Sequence, residues 1–413
     1  MILLSVPSVF SMLFVLDNDL FKYSRYKSFM KGRNAAMINA QRLAGIFKDL
    51  VRIDSVSGQE GQCCRALQHR LAQLGLSTHI DDAQRRVQSD TGNLIAWLPG
   101  RRSWAPLLLS AHMDTVEPGR GVVPQLVDGV FTSDGTTILG ADDKSALAVI
   151  LEVLHCIHDA RLAHPPLEVV FSICEETGLQ GVKHLDYEKI SARQGYVLDA
   201  GNPEVLITRA PSANNLTFTL HGKAAHAGGC PEAGINAIVL AGRAVAQLRQ
   251  GRIDHETTSN IGVIQGGLAT NIVPAKVVVR AETRSHDESK LETVTREMAA
   301  AFEAAVASHP GIDGIRPRLD VVVEREFDRL AVDPLHPVVV IARRAAEKIG
   351  MPLALGETGG GSDANVFATH GIVTAVLGTG MERVHSTDER ISLDAMVNSA
   401  RLLLEIVGLH GNS

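Results

Sequence analysis

Cysteine is scarce in this chain of 413 residues, and the five that occur exclude two protein classes. Cys63 and Cys64 are adjacent while Cys156, Cys174 and Cys230 are scattered, so the spacing holds neither a disulfide framework nor a zinc knuckle. An odd, dispersed set of this kind suits reduced thiols and a cytoplasmic protein. Aromatic residues make up only 4% of the chain, and no Lys/Arg run with interleaved aromatics appears in its body. With 40 Lys+Arg against 46 Asp+Glu, for a net charge of -6, the electrostatic footprint of a nucleic-acid binder is missing. An apolar run long enough to cross a membrane is missing too. Met1 to Leu16 (MILLSVPSVFSMLFVL) is too short to span comfortably, no basic segment precedes it, and no small-residue cleavage site follows. Residues 1–36 therefore read as an extension ahead of the fold, as a start codon assigned too far upstream would give. The competing readings are a membrane or export signal, against which the cysteines speak, and an N-terminal helix packed on a partner.

What is present belongs to an ordinary globular protein, with 45% hydrophobic and 21% charged residues. At roughly 100 to 200 residues per domain, the length predicts two or three domains that each bury a core. From Ile38 to Asp54, Leu43, Ile46, Phe47, Leu50 and Val51 have the spacing of a helix with one buried face, and a second such helix runs from Gly61 to Leu74. Short apolar runs then end in polar residues: Leu107 to Ser110, Leu167 to Ile173, Tyr196 to Leu198 and Ile372 to Leu377. These read as buried strands of an α/β sheet, with a packed helix from Lys144 to Leu162 between the first two. His155 and His158 on that helix are ordinary face residues.

Between Ser212 and Arg325 the order changes to strand, helix, two strands, helix, strand, which is the βαββαβ order of a ferredoxin-like domain. Pro211 and the segment from Arg325 to Leu330 would be its hinges. The expected organisation is a catalytic α/β domain over 37–211 and 326–413, its mixed sheet flanked by helices, interrupted by an α+β insert over 212–325.

The ionisable residues collect where the strands end. His112 and Asp114 share one side of an extended segment, Asp142 and Asp143 open a helix, Glu175 and Glu176 follow a strand, and Asp199 and His385 add further donors. Carboxylate oxygens with neutral imidazoles suit zinc, manganese or cobalt. Each motif alone is weak, since His-x-Asp occurs by chance and Glu-Glu is usually a solvated pair. Their serial placement at carboxyl ends of strands, where ligands of open α/β sheets bind, is what points to a site.

The motifs SAHMDTV, LGADDK, CEETG, VLDAG, TNIVP and RVHSTDE, in this order around an inserted βαββαβ domain, resemble the co-catalytic metallopeptidases that include peptidase T, carboxypeptidase G, aminoacylase and succinyl-diaminopimelate desuccinylase. SDGTTILGADDKSA is most similar to peptidase T-like members, and the resemblance covers Met37 to Leu409. It implies two zinc ions, with Co2+ or Mn2+ as substitutes. His112 and Asp199 would hold one, Glu176 and His385 the other, and Asp142 would bridge both, joined to Asp143 by a cis peptide. Asp114 would orient His112, and Glu175 would be the general base. The insert would act as lid and dimerisation domain, with His226 of HGKAAHAGG polarising the scissile carbonyl, often across a homodimer interface. Asn271 and Arg284 would bind the substrate carbonyl and carboxylate, and Gly360, Gly361 and Ser362 of the TGGGSD loop are candidates to line the pocket, with a structural turn as the alternative.

One departure is Ser145 and Ala146, where many relatives have Gly soon after the lysine. The expected activity is hydrolysis of an amide bond in short peptides by an aminopeptidase of the tripeptidase kind. The alternatives are a carboxypeptidase, an N-acyl amino acid amidohydrolase, or a metal-binding protein without activity.

Overall fold

The computed structural model describes residues 38–410, so the N-terminal extension lies outside the described residues. The first described helix is Ala40–Val51. Asn39 caps it by accepting the Arg42 amide at 3.0 Å, and Leu43, Ile46, Phe47, Leu50 and Val51 are buried along its inner face.

The main sheet has nine strands. Its centre is four parallel strands in the order Leu167–Ser172, Leu107–His112, Gln194–Ala200, Val373–Gly378. Leu94–Leu98 and Ser77–Ile80 extend it antiparallel on one side; Val205–Ala210 and Leu330–Ala331 do so on the other, with Ala354–Glu357 running parallel beside Val205–Ala210. Every residue of Leu107–His112 and of Leu167–Ser172 is buried, as the near-continuous apolar character of central parallel strands requires. The helix Ala141–Ala160 makes the crossover between these two strands and packs on Ala40–Val51 and Leu393–His410. Within its bounds Asp142 (φ -82°, ψ 103°) and Asp143 (φ -119°, ψ 26°) are not helical, and a cis peptide joins them. Regular helix therefore resumes at Lys144. Ser145 behind it is fully buried, its hydroxyl 2.8 Å from Thr379 Oγ1.

Pro211 separates Val205–Ala210 of this sheet from Ser212–His221 of a second, antiparallel sheet. That sheet takes the order Gly251–Arg252, Thr257–Gly266, Lys276–Ser285, Ser212–His221, Arg318–Phe327. Apart from the added two-residue strand, this is the βαββαβ succession, with helices Ala237–Val245 and Glu288–Ala307 packed on the sheet. Its core is separate from that of the main sheet and includes Leu216, Phe218, Leu240, Val279, Met298 and Phe302, with the Phe218 and Phe302 rings stacked at 4.0 Å. The observed class is thus a mixed sheet with helices carrying an inserted antiparallel α+β domain. Among the described residues no helix is long and apolar enough to cross a membrane.

A third sheet is small, with four strands of two or three residues. Met381–Glu382 pairs with Arg390–Ser392, which pairs with Val130–Thr132, which pairs with Gln125–Val127. It makes a hairpin of the segment that carries His385.

Candidate metal centre

His112 is the last residue of its strand, two residues further along than the apolar run alone implies, and is 2% exposed. Its Nδ1 lies 2.9 Å from the Asp114 carbonyl oxygen, which can only accept, so the ring proton sits on Nδ1 and Nε2 is left to bind a cation. Nε2 lies 3.1 Å from Asp142 Oδ1. The other Asp142 oxygen is 3.4 Å from His385 Nε2, and that nitrogen is 3.0 Å from Glu176 Oε1. Two sets result: His112, Asp142 and Asp199, then Asp142, Glu176 and His385, the donor atoms of each set lying within 4.8 Å of one another. Asp142 belongs to both.

The electrostatics fit divalent cations. Burial, then the neighbouring Asp142, pushes Asp199 well above the usual carboxylate range; burial and Asp199 do the same to Glu175. Burial also raises Asp143, whose Oδ1 is buried without a hydrogen-bond partner. Hydrogen bonds to Asp142 and Glu176 hold the His385 imidazole up to about 10. Burial opposes the charged forms of both His112 and Asp142, yet their mutual hydrogen bond, with those to Asp114 and His385, outweighs it: His112 is raised and Asp142 lowered. A cluster that must hold protons to balance its buried carboxylates is one that positive charge at the shared donors would relieve. Two imidazoles and three carboxylates are also the donor chemistry that zinc, cobalt or manganese accepts.

Asp114 reaches further than its neighbour. Its carboxylate stands 3.4 Å from His112 Nδ1 and accepts from Ser57 Oγ at 2.7 Å, the Glu175 amide at 2.9 Å and the Glu176 amide at 3.2 Å. One buried side chain therefore fixes the candidate ligand His112 and the turn carrying both glutamates. Cys174, at φ +50°, makes that turn.

The remaining expected residues fall into two other groups. Arg284 lies on Lys276–Ser285 and reaches the main domain, with Nη1 3.3 Å from the Gly359 oxygen, its guanidinium over the Phe327 ring, and Nε without a partner. A 260 Å³ cavity here is lined by Arg252, His255, Arg284, His286 and Gly359 among others. In the glycine loop, any side chain at Gly361 would meet the Phe327 ring within 2.8 Å, and Ser362 begins the helix Asp363–Thr369 in a capping box with Asn365. Gly360 is open. His226 and Asn271 form the third group: the Ala227 amide donates to the Asn271 oxygen at 2.9 Å, and His226 pairs with Ile272. His226 Nδ1 accepts the Gly228 and Gly229 amides at 3.1 and 2.9 Å, so its proton is on Nε2, which can donate outward. Both His226 and Asn271 are exposed, and their contacts stay within the insert.

Two acidic residues near the candidate ligands were given no role by the sequence. Asp363 is buried at the start of its helix, bonded by Ser172 beside His112 in register, with burial holding its carboxyl up at about 6. Glu389, 1% exposed, accepts backbone amides of the loop that delivers Asp142. Only its presence inside RVHSTDE, four residues after His385, was available as a marker.

Fold and site together define a metallohydrolase with a candidate dinuclear centre. Residues 93–223 match the family profile described as Peptidase family M28, and residues 212–310 match Peptidase dimerisation domain of the M20 group. The uncharacterized protein YqjE of Bacillus subtilis is 40% identical over 372 residues, which is 90% of this chain and 99% of that protein. Among solved structures, aminopeptidase PepT of Bacillus cereus is 39% identical over 91% of this chain and 99% of its own, at a TM-score of 0.81. A tripeptidase of Staphylococcus aureus is 36% identical over 91% of this chain and all of its own, at a TM-score of 0.85. The chain belongs to the peptidase T-like metallopeptidases of the M20/M28 group.

Proposed function

We propose that the chain is an aminopeptidase of the tripeptidase kind, releasing the N-terminal residue of short peptides. The observation that carries this reading is its likeness, over 91% of its length, to an aminopeptidase and a tripeptidase at 39% and 36% identity. His112 and Asp199 would hold one zinc ion, Glu176 and His385 the second, with Asp142 shared. When bound, two such ions make water acidic enough to attack near neutral pH and polarise the scissile carbonyl.

The residues of the chain do the rest. Glu175, fixed at its amide by Asp114, takes one proton of the attacking water and returns it to the leaving nitrogen, so that water and amide become carboxylic acid and amine, the acid then passing its own proton to the amine or to solvent. His226 offers its Nε2 proton to the carbonyl oxygen as negative charge develops there. Arg284, whose guanidinium bonds the Gly359 oxygen at the edge of a cavity, takes the substrate carboxylate, and Asn271 the substrate carbonyl. His226 and Asn271, exposed on the insert with no contact to the main domain among those described, would serve the centre of a second copy. Ile238, Val239, Val263, Ile264 and Leu268, the last 91% exposed, form the apolar surface through which the inserted domains pair as a homodimer.

Turnover of tripeptides, dipeptides and N-acyl amino acids, each with zinc, cobalt or manganese, tests the substrate class. Tripeptides with a free N-terminus should be cleaved fastest, and N-acetylation should abolish cleavage. Faster turnover of N-acyl amino acids would replace the reading with an amidohydrolase.

A further inference from the structure

The helix Ala141–Ala160 begins without a cap of its own. Its N-cap position is Gly140, at φ +74°, which has no side chain to accept the first amides. The turn that leads into the helix is instead braced by a residue some 250 positions along the chain. Glu389 Oε2 accepts from Leu139 N at 2.8 Å and Gly140 N at 2.7 Å, and Oε1 accepts from Asp142 N at 3.0 Å. Both oxygens are thus engaged, and all three amides lie in the turn ahead of the regular helix that resumes at Lys144.

The origin of this carboxylate matters as much as its target. Glu389 closes the loop whose tip carries His385: Met381–Glu382 and Arg390–Ser392 zip the arms together, and the Glu389 amide bonds the Ser386 oxygen at 3.1 Å. Arg390–Ser392 is itself paired to Val130–Thr132. One side chain therefore joins the backbone of the residue shared by both ligand sets to the base of the hairpin holding His385. Neither loop can shift alone without breaking hydrogen bonds in a buried setting. The cis peptide follows directly after the Asp142 amide that Glu389 holds.

We infer that Glu389 is a positioning residue of the metal centre, a brace supplied from the His385 hairpin that sets the backbone of Asp142 and so governs how tightly both metals are held. The inference rests on the assignment of Asp142 and His385 as ligands, and deepens it.

The test compares Glu389→Gln with Glu168→Gln and Asp142→Ala in the full chain. Glutamine has one acceptor oxygen and would turn an NH2 group toward an amide N–H. Glu168 is a matched control: it is 4% exposed and accepts the Ser191 and Ala192 amides at 2.9 Å, but sits at the opposite end of its strand from the ligands. Zinc affinity is measured by competition with a chromophoric chelator, at a temperature where each apo chain is folded by circular dichroism. E389Q should still reach the wild-type zinc stoichiometry but bind about 10- to 100-fold more weakly, the range for groups that orient ligands. Its kcat should recover as zinc is raised to saturation, since Glu389 is placed to touch no substrate. E168Q should lower the melting temperature and leave zinc affinity unchanged. If E389Q does not fold, Glu389→Asp, which keeps the charge but shortens the reach, carries the same expectation of weaker zinc. Wild-type zinc affinity in the folded variant, or an equal loss in E168Q, overturns the inference. Full zinc retention in D142A overturns instead the ligand assignment beneath it.

Discussion

Replacing Glu175 with Gln separates the proposed base from the candidate ligands beside it. The variant keeps the backbone bonds that shape the turn: the Glu175 amide to Asp114 at 2.9 Å, and the Glu175 oxygen to the Gly178 and Leu179 amides at 3.0 and 2.8 Å. What it removes is a buried carboxylate that Asp199, Asp363 and Glu176 all oppose. That charge costs the apo fold stability, because burial disfavours the ionised form and the neighbours repel it. The apo variant should therefore melt at or above the wild-type temperature, and its metal content should be unchanged. Turnover is another matter, because a neutral amide cannot accept the proton of water. A loss of about 10²- to 10⁴-fold in kcat is expected, about 2.7 to 5.4 kcal/mol of barrier, with KM little altered. The assays are tripeptide hydrolysis under saturating zinc, elemental analysis and thermal melting. A variant holding both metals yet within about tenfold of wild-type kcat would show that another group moves the proton.

His226→Ala should lower kcat by about 10²- to 10³-fold while metal content and KM hold. Mixing it with inactive E175Q and allowing exchange should restore up to about one working site per heterodimer, by the symmetry of a paired insert; heterodimers without recovered activity would place His226 in its own subunit's site or remove its role. Arg284→Ala should raise KM about tenfold for tripeptides with a free C-terminal carboxylate and little for their amides, as loss of a partly exposed charged hydrogen bond predicts. Equal effects on both substrates would remove Arg284 from carboxylate recognition.

Most of the architecture was legible because central parallel strands are buried along their whole length, so Leu107–His112 and Leu167–Ser172 appear as apolar runs that stop at the charged edge. His112 lies inside its strand because a ladder tolerates a polar end residue once its ring is bonded, which hydrophobicity cannot show. Strands with mixed faces, such as Ser77–Ile80, gave no run to find, and the small third sheet is built of strands of two or three residues with no period. Its consequence for the site is large, since it presents His385. Asp142 and Glu176 stood in recognisable pairs, whereas Asp363 and Glu389 act by accepting bonds from Ser172 and from backbone amides far along the chain. Such tertiary partnerships leave no local pattern, because an acidic residue near a turn is ordinarily solvated.

The central claim is that five side chains form two metal sites sharing one carboxylate. Elemental analysis after reconstitution with excess zinc and desalting tests it most directly, on the wild-type chain beside Asp142→Ala. About two zinc ions per wild-type chain and almost none in D142A are expected, because the shared ligand belongs to both sets. A wild-type chain that retains no metal, or a D142A chain that keeps one ion tightly, would contradict it.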